Sequence, residues 1–105
     1  MRVVWNKYAI MRRDQIAEYI RERFGADRRK RFLQEVRQAT RMLKQFPNLG
    51  ILDPLFAECQ KPYRSIIVGG LSKMVYTVSD ETIYIVALWD CRQEPEPQAT
   101  QAANA

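Results

Sequence analysis

Clusters of charged side chains are the features of this sequence whose residue types could do chemistry. One cluster, Asp90-Cys91-Arg92, directly follows an apolar run at residues 82–89. Another, Arg28-Arg29-Lys30-Arg31, stands where a helix is predicted to begin. A solvated helix start would explain this cluster, but cations near a helix N-terminus oppose the helix macrodipole, which adds a little support for a binding role. Side chains of this kind could bind an acidic protein or a nucleic acid.

The positive charge is concentrated in the first half of the chain. Residues 1–46 hold 13 Lys/Arg against five Asp/Glu, whereas residues 47–105 hold four against seven, within a net charge of +5. The excess therefore lies on the predicted helices rather than on the predicted strands. Charge alone favours solvated helix faces over a binding surface.

Composition argues against several classes of site and location. The chain lacks histidine, and its two cysteines, Cys59 and Cys91, do not form a CxxC pair. Zinc sites need such ligands at short spacings, so no metal and no cofactor is predicted, and both cysteines are interpreted as reduced packing residues. No apolar run approaches the ~18 residues of a membrane span, and the N-terminus lacks the apolar core of a signal peptide. We therefore expect a cytoplasmic protein.

Three runs in the second half of the chain have the composition of strands. Residues 63–68, 74–78 and 82–89 are rich in β-branched and aromatic side chains, and turn signals at Gly69-Gly70 and Ser79-Asp80-Glu81 separate them. The third run barely alternates, which predicts an interior strand covered on both faces. Val3-Val4-Trp5 predicts a further edge strand.

Two helices are predicted before these strands. In residues 8–24, Ile16, Ile20 and Phe24 recur on one helical face, and Gly25 is a C-terminal stop. The second helix is predicted from an Asp27 cap to Pro47. Its apolar residues recur at alternating spacings of four and three residues, at Phe32, Val36, Ala39, Leu43 and Phe46. The short connection predicts an antiparallel helical hairpin.

This order of elements predicts an α+β fold, with a short N-terminal strand and the helical hairpin packed on a mainly antiparallel sheet (β-α-α-β-β-β). We expect one domain over residues 1–93, with residues 48–61 forming an irregular loop. Residues 94–105 are rich in proline and small polar residues, which predicts a disordered tail.

Four stretches carry a resemblance to a known protein family. They are the helix IAEYIRERFG, the helix end LKQFPNLG, the strand start YRS and the final MVYTVSDETIYIVALWDCRQ. In this order and spacing they resemble the RelE/ParE superfamily of toxins from bacterial type II toxin–antitoxin systems. The likeness covers about residues 2–95.

The resemblance implies a toxin of the plasmid-stabilisation type that arrests growth and is held inactive by a cognate antitoxin. RelE-like members enter the ribosomal A site and cleave mRNA, whereas ParE-like members inhibit DNA gyrase and are not nucleases. Ribosome-associated mRNA cleavage is the first hypothesis and gyrase inhibition the alternative. A non-catalytic RNA-binding or protein-interaction domain is a further alternative.

The resemblance also suggests three candidate catalytic cations. RelE-like toxins use Lys, Arg and Tyr side chains to cleave RNA, which requires proton transfer and stabilisation of a phosphorane. Arg64 matches a basic position in the first strand of that pattern, Lys73 one that opens the next strand, and Arg92 the arginine after the last strand. Together these three could hold a phosphate.

The sequence also departs from the RelE-like pattern. Ile66 occupies a second basic position, and the tyrosine expected after the last strand has no counterpart. Tyr76 lies inside a strand and is interpreted as structural. Glu58 and Asp90 are carboxylates near enough in sequence to offer proton transfer, and Asp90 is also a candidate surface partner of Arg92.

Overall fold

The computed structural model describes residues 1–92, and its element order confirms the predicted α+β architecture. The predicted tail at 94–105 lies outside the described residues. The elements are β1 (Arg2–Trp5), α1 (Lys7–Phe24), α2 (Ala26–Gln45), β2 (Ile51–Leu52), a 3-10 turn (Pro54–Phe56), β3 (Arg64–Val68), β4 (Ser72–Ser79) and β5 (Thr82–Asp90). The prediction missed β2 and the 3-10 turn, because two or three residues are too few to show a period.

The strands form one mixed sheet in the order β1-β5-β4-β3-β2. β1 pairs parallel with β5, and the other neighbours pair antiparallel. The predicted interior position of the last strand is confirmed, since β5 lies between β1 and β4.

A bulge in β5 changes which side chains share a face of the sheet. The register passes from Val75 opposite Ala87 to Tyr76 opposite Ile85, which leaves Val86 as the extra residue. An extra residue reverses the alternation of side chains along the strand. Ile85 and Leu88 consequently pack into the same core.

Asn6 begins α1 by accepting a hydrogen bond from the Ala9 amide at 2.8 Å. Ile16 and Ile20 are buried as predicted, but Phe24 is 47% exposed. Phe24 is the last residue of α1, and the Arg92 guanidinium lies 5.9 Å from the centre of its ring. Gly25 follows with φ +97°, a conformation that glycine adopts without strain.

The apolar seam predicted for α2 is confirmed for its buried residues Phe32, Val36, Ala39 and Leu43. Phe46 is 58% exposed, because it follows the helix with φ −130° and ψ 76° and so leaves the helical phase. The predicted cap at Asp27 is wrong. α2 begins at Ala26, and Asp27 lies in its first turn, where a carboxylate still interacts favourably with the macrodipole.

The two faces of the sheet have separate cores. The helix face, which carries Met74, Tyr76, Ile83, Ile85 and Leu88, packs against the buried seams of α1 and α2. The loop face, which carries Val75, Ala87 and Trp89, packs against Phe56 of the 3-10 turn. Among the described residues, no helix is both long and apolar enough to cross a membrane.

Candidate functional site

Arg92 is bound to a buried carboxylate just beyond the end of β5. Its Nε and Nη2 donate to Asp90 Oδ1 and Oδ2 at 2.7 and 2.6 Å, and its backbone amide donates to Oδ1 at 2.9 Å. Ser72 Oγ on β4 completes the cluster with a 2.6 Å hydrogen bond to Oδ2. The side chain of Asp90 is 0% exposed and that of Arg92 19%, so this is not the surface pair that the sequence suggested.

The environment keeps Asp90 ionised. Burial is the largest single influence and favours the protonated form. The hydrogen bonds from Arg92 and Ser72 together outweigh burial and hold the pKa of Asp90 below its ordinary value. An ionised carboxylate that already accepts four hydrogen bonds has no proton to give to a leaving group at neutral pH.

Lys73 is bound on the loop face of the sheet. Its Nζ lies 3.0 Å from Asp53 Oδ2 and 5.7 Å from the centre of the Trp89 ring. Asp53 is buried, and its Oδ1 accepts from the Leu55 amide at 2.9 Å, which caps the 3-10 turn. Burial is again the largest single influence and raises the pKa of Asp53. Hydrogen bonds from Leu55, Lys73 and Ser65 together outweigh burial, so the pKa of Asp53 lies below its ordinary value.

Arg64 holds the loop after α2 against the sheet. Its Nη1 donates to the Gly50 carbonyl at 2.7 Å, and the Gly50 amide donates to Tyr76 Oη at 2.9 Å. Tyr76 Oη in turn donates to the Pro47 carbonyl at 2.7 Å. A Cβ at Gly50 would lie 2.7 Å from the Ser65 carbonyl oxygen and 2.9 Å from the Tyr76 ring, so this contact requires glycine.

Tyr76 is fully buried, and burial raises the pKa of its phenol. Both its exposure and its hydrogen bonds agree with the structural interpretation made from the sequence.

The structure does not bring the three candidate cations together. Lys73 pairs with Trp89 across the loop face, whereas Arg64 pairs with Tyr76 on the helix face. Arg92 lies past the end of β5, beside Phe24, and its backbone carbonyl accepts a hydrogen bond from Tyr19 Oη at 3.1 Å. Within residues 1–92, no hydrogen bond or ion pair joins any two of them. A catalytic role for Arg64, Lys73 or Arg92 therefore stays a prediction.

Comparison with known proteins identifies the family. The family model described as "ParE toxin of type II toxin-antitoxin system, parDE" matches residues 3–95. The chain belongs to the ParE toxin family. The resemblance to the RelE/ParE superfamily that the sequence motifs suggested is thereby confirmed.

A solved structure agrees at the level of the fold. The ParE-family chain superposes on one described as "Chromosomal ParDE TA system from P. aeruginosa" with a TM-score of 0.70. The match covers 86% of this chain and 95% of that one, at 19% sequence identity. A search of curated protein sequences finds no match.

The remaining candidate residues of this ParE-family chain lie apart from a common site. In the Arg28-Arg29-Lys30-Arg31 cluster, all four side chains are exposed, and Arg31 pairs with Glu35 at 2.9 Å. Glu58 is exposed, and Cys59 and Cys91 are free thiols. Nowhere in residues 1–92 do three His, Cys, Asp or Glu side chains gather as a metal site would need.

Sequence reasoning missed Asp53 altogether. Its position directly before Pro54 was an available signal, since an aspartate before a proline at the first position of a helical turn is a common cap.

Proposed function

We propose that this protein is the toxin of a type II toxin–antitoxin module and that it arrests growth by binding a protein target, DNA gyrase, rather than by cleaving mRNA. The observation that supports this proposal is the separation of Arg64, Lys73 and Arg92. Each is engaged by a different partner, at Gly50, Asp53 and Asp90 respectively. The proposal makes the protein cytoplasmic, because gyrase acts on chromosomal DNA.

Cleavage of RNA through its 2′-hydroxyl needs cations and proton-transfer groups that converge on one phosphate. Here Lys73 and Arg64 lie on opposite faces of the sheet. Asp90 is held ionised by Arg92 and Ser72, and the Tyr76 hydroxyl is buried between Pro47 and Gly50. The contacts that these candidate acids and cations make within the fold therefore support a mechanism other than RNA cleavage.

Membership of the ParE family supports the same choice of mechanism. As the sequence resemblance implies, ParE-like members of the superfamily inhibit gyrase and are not nucleases. A protein inhibitor of this kind works through surface complementarity, for which separated and internally paired cations are no obstacle.

The proposal includes a cognate antitoxin, and the β2 edge of the sheet is a suitable surface for it. The residues in and next to β2 in sequence include five apolar side chains that are between 45% and 69% exposed: Phe46, Leu49, Ile51, Leu52 and Leu55. Ile67 on the neighbouring β3 is 66% exposed. An exposed apolar patch beside a two-residue edge strand is typical of a surface that a partner covers.

The two mechanisms are separated by assaying the purified toxin, released from its antitoxin complex and refolded. We expect it to inhibit ATP-dependent supercoiling of relaxed plasmid by gyrase and to leave mRNA intact on translating ribosomes. The antitoxin should restore supercoiling. Ribosome-dependent mRNA cleavage with unaffected gyrase would overturn the proposal and reinstate the nuclease hypothesis.

A further inference from the structure

The outer side of α2 carries a row of exposed cations at spacings of seven, four and three residues: Lys30, Arg37, Arg41 and Lys44. These spacings keep side chains on one side of a helix with 3.6 residues per turn. The first three each stand two positions, or about 200°, before a buried core residue, namely Phe32, Ala39 and Leu43. This row, the cationic face, therefore points away from the sheet.

The cationic face has no acidic partner. None of the ion pairs within residues 1–92 involves any of its four members. The two carboxylates of α2 are Asp27, in the first turn, and Glu35, which pairs with Arg31. Exposed Gln34 and Gln38, which are neutral, lie beside the row. The outer side of α2 thus has one sign of charge along most of its length.

The outer side of α1 differs, because its charges are paired. Arg13 pairs with Asp14 at 3.1 Å, and Glu18 is bound by Arg21. Alternating signs of this kind are typical of a helix that only faces solvent.

On α2, neighbouring members of the cationic face repel one another. Arg37 and Arg41 are four residues apart, and Arg41 and Lys44 are three apart. Like charges at these spacings destabilise a helix. A solvated surface gains nothing from such an arrangement, whereas an anionic partner would relieve the repulsion. The cationic face is therefore better explained as a binding surface.

We propose that the cationic face binds the phosphate backbone of duplex DNA, namely the DNA that gyrase holds. From Lys30 to Lys44 it extends about 21 Å at 1.5 Å per residue. That length matches about six phosphates of one strand at 3.4 Å each along the DNA axis. Lysine, arginine and glutamine side chains all donate to phosphate oxygens. The choice of gyrase's DNA rests on the proposed function, whereas the chemistry of the partner follows from the face itself.

Two other anionic partners fit the cationic face less well. A membrane surface would require an apolar side of α2 to insert, but Phe32, Val36 and Leu43 are buried against the sheet. An acidic protein usually adds an apolar anchor to its charges, and the row itself contains no apolar side chain. Duplex DNA needs no such anchor, because it carries one charge per ~1.7 Å and its binding releases condensed counterions.

The direct test measures binding of a fluorescein-labelled DNA duplex of about 20 base pairs by anisotropy, at several salt concentrations. The full-length toxin is compared with a cationic-face variant, Lys30→Gln/Arg41→Gln/Lys44→Gln. The matched control removes the same charge from exposed cations outside α2: Arg2→Gln/Lys7→Gln/Lys61→Gln. Arg37 is left unchanged because it also borders the groove between α1 and α2. A cooperative thermal melt of each protein confirms that it is folded.

We expect the toxin to bind the duplex with a dissociation constant of about 10⁻⁶–10⁻⁴ M at physiological salt. The logarithm of the affinity should fall with the logarithm of the salt concentration at a slope of about −3 to −4, since each neutralised phosphate contributes about −0.9. The cationic-face variant should bind at least about tenfold more weakly, with a slope of about −1, and the control should change by no more than about twofold.

Equal losses of affinity in the two variants, or no binding of the duplex by the toxin, would overturn the proposal. Two competitors test the class of partner. Polyglutamate of equal total charge that binds more tightly than the DNA would overturn the proposal in favour of an acidic protein. An RNA duplex of the same sequence that binds more tightly would overturn it in favour of RNA.

Inhibition of gyrase supercoiling by the same three proteins is measured in parallel, so the two proposals fail separately. The cationic-face variant should need at least about fivefold more protein for half-inhibition than the control variant. Unchanged inhibition by a variant that no longer binds DNA would overturn the assignment to gyrase's DNA. A toxin that binds the duplex but leaves gyrase active contradicts the proposed function, and one that inhibits gyrase without binding the duplex contradicts the present inference alone.

Discussion

The helix face of the sheet is covered by two long regular helices, whereas the loop face is covered by the irregular segment between β2 and β3. On the helix face, fully buried aliphatic side chains such as Ile16, Leu43 and Leu88 form one continuous core. Among residues 1–92, the buried cluster on the loop face consists of Phe56, Val75, Ala87 and Trp89.

The difference shows how each cover is held in place. A helix forms its backbone hydrogen bonds internally, so an apolar seam is enough to pack it on the sheet. The irregular segment instead depends on specific polar contacts, in which Asp53 caps the 3-10 turn and pairs with Lys73 of β4. Lys73, which the family resemblance suggests as a catalytic cation, therefore attaches the loop to the sheet.

The largest effect is expected from a cavity in the core of the helix face. Leu43→Ala removes a fully buried side chain and should lower the free energy of unfolding by about 2–5 kcal/mol. Met42→Ala, at the neighbouring and 44% exposed position, is the matched control. Urea denaturation checks both, and equal losses would show that the phase of α2 is wrong.

A smaller but clear loss is expected at the end of β5. Arg92→Ala leaves the fully buried Asp90 with Ser72 and a backbone amide as its remaining donors, and should cost about 1–3 kcal/mol. This exceeds the ±0.5 kcal/mol or so that is usual for a surface residue. A melting temperature unchanged from the wild type would contradict the buried-pair assignment.

The loss of stability at acidic pH should also depend on the Asp90–Arg92 pair. The folded-state pKa of Asp90 lies below its ordinary value, so its stabilisation is present above the unfolded pKa of about 4 and is lost as the pH falls through the folded value. The melting temperature should therefore fall between about pH 5 and pH 2. Asp90→Asn should show a shallower fall, and Asp80→Asn, in the exposed β4–β5 turn, is the control.

The smallest effect is expected on the loop face. Lys73→Met removes one charge–charge contact but keeps an apolar stem over Trp89, while Asp53 retains its hydrogen bond from Leu55. We expect a cost of about 1–2 kcal/mol in urea denaturation, because the buried Asp53 loses its cation. A loss as large as that of Leu43→Ala would mean that the loop face contributes as much to stability as the helix face.

The regular elements could be predicted from sequence because their periods and turn signals are local. The seam from Phe32 to Leu43 and the strands on either side of Gly69-Gly70 show this. The weak alternation of β5 was interpreted as two-sided burial, and the bulge at Val86 contributes to it as well. A bulge depends on the partner strand, which a single sequence does not reveal.

The partners of the charged residues could not be predicted in the same way. Lys73 and Asp53 are twenty residues apart, and Arg64 contacts a backbone carbonyl that carries no side-chain signal. Only Arg92 and Asp90 are close enough in sequence to suggest their pairing, and their burial depends on Ser72 of β4. The resemblance thus identified the family, but residue type alone did not reveal the contacts that Arg64, Lys73 and Arg92 make within the fold.

Our central proposal is that Arg64 on the helix face and Lys73 on the loop face stabilise the fold and do not carry out catalysis. The most direct test is growth arrest by the Arg64→Gln/Lys73→Met toxin, expressed without antitoxin and checked for a cooperative thermal melt. We predict that the folded variant still arrests growth and still inhibits supercoiling by gyrase. A variant that folds but no longer arrests growth, in cells where the wild type cleaves mRNA, would contradict this account.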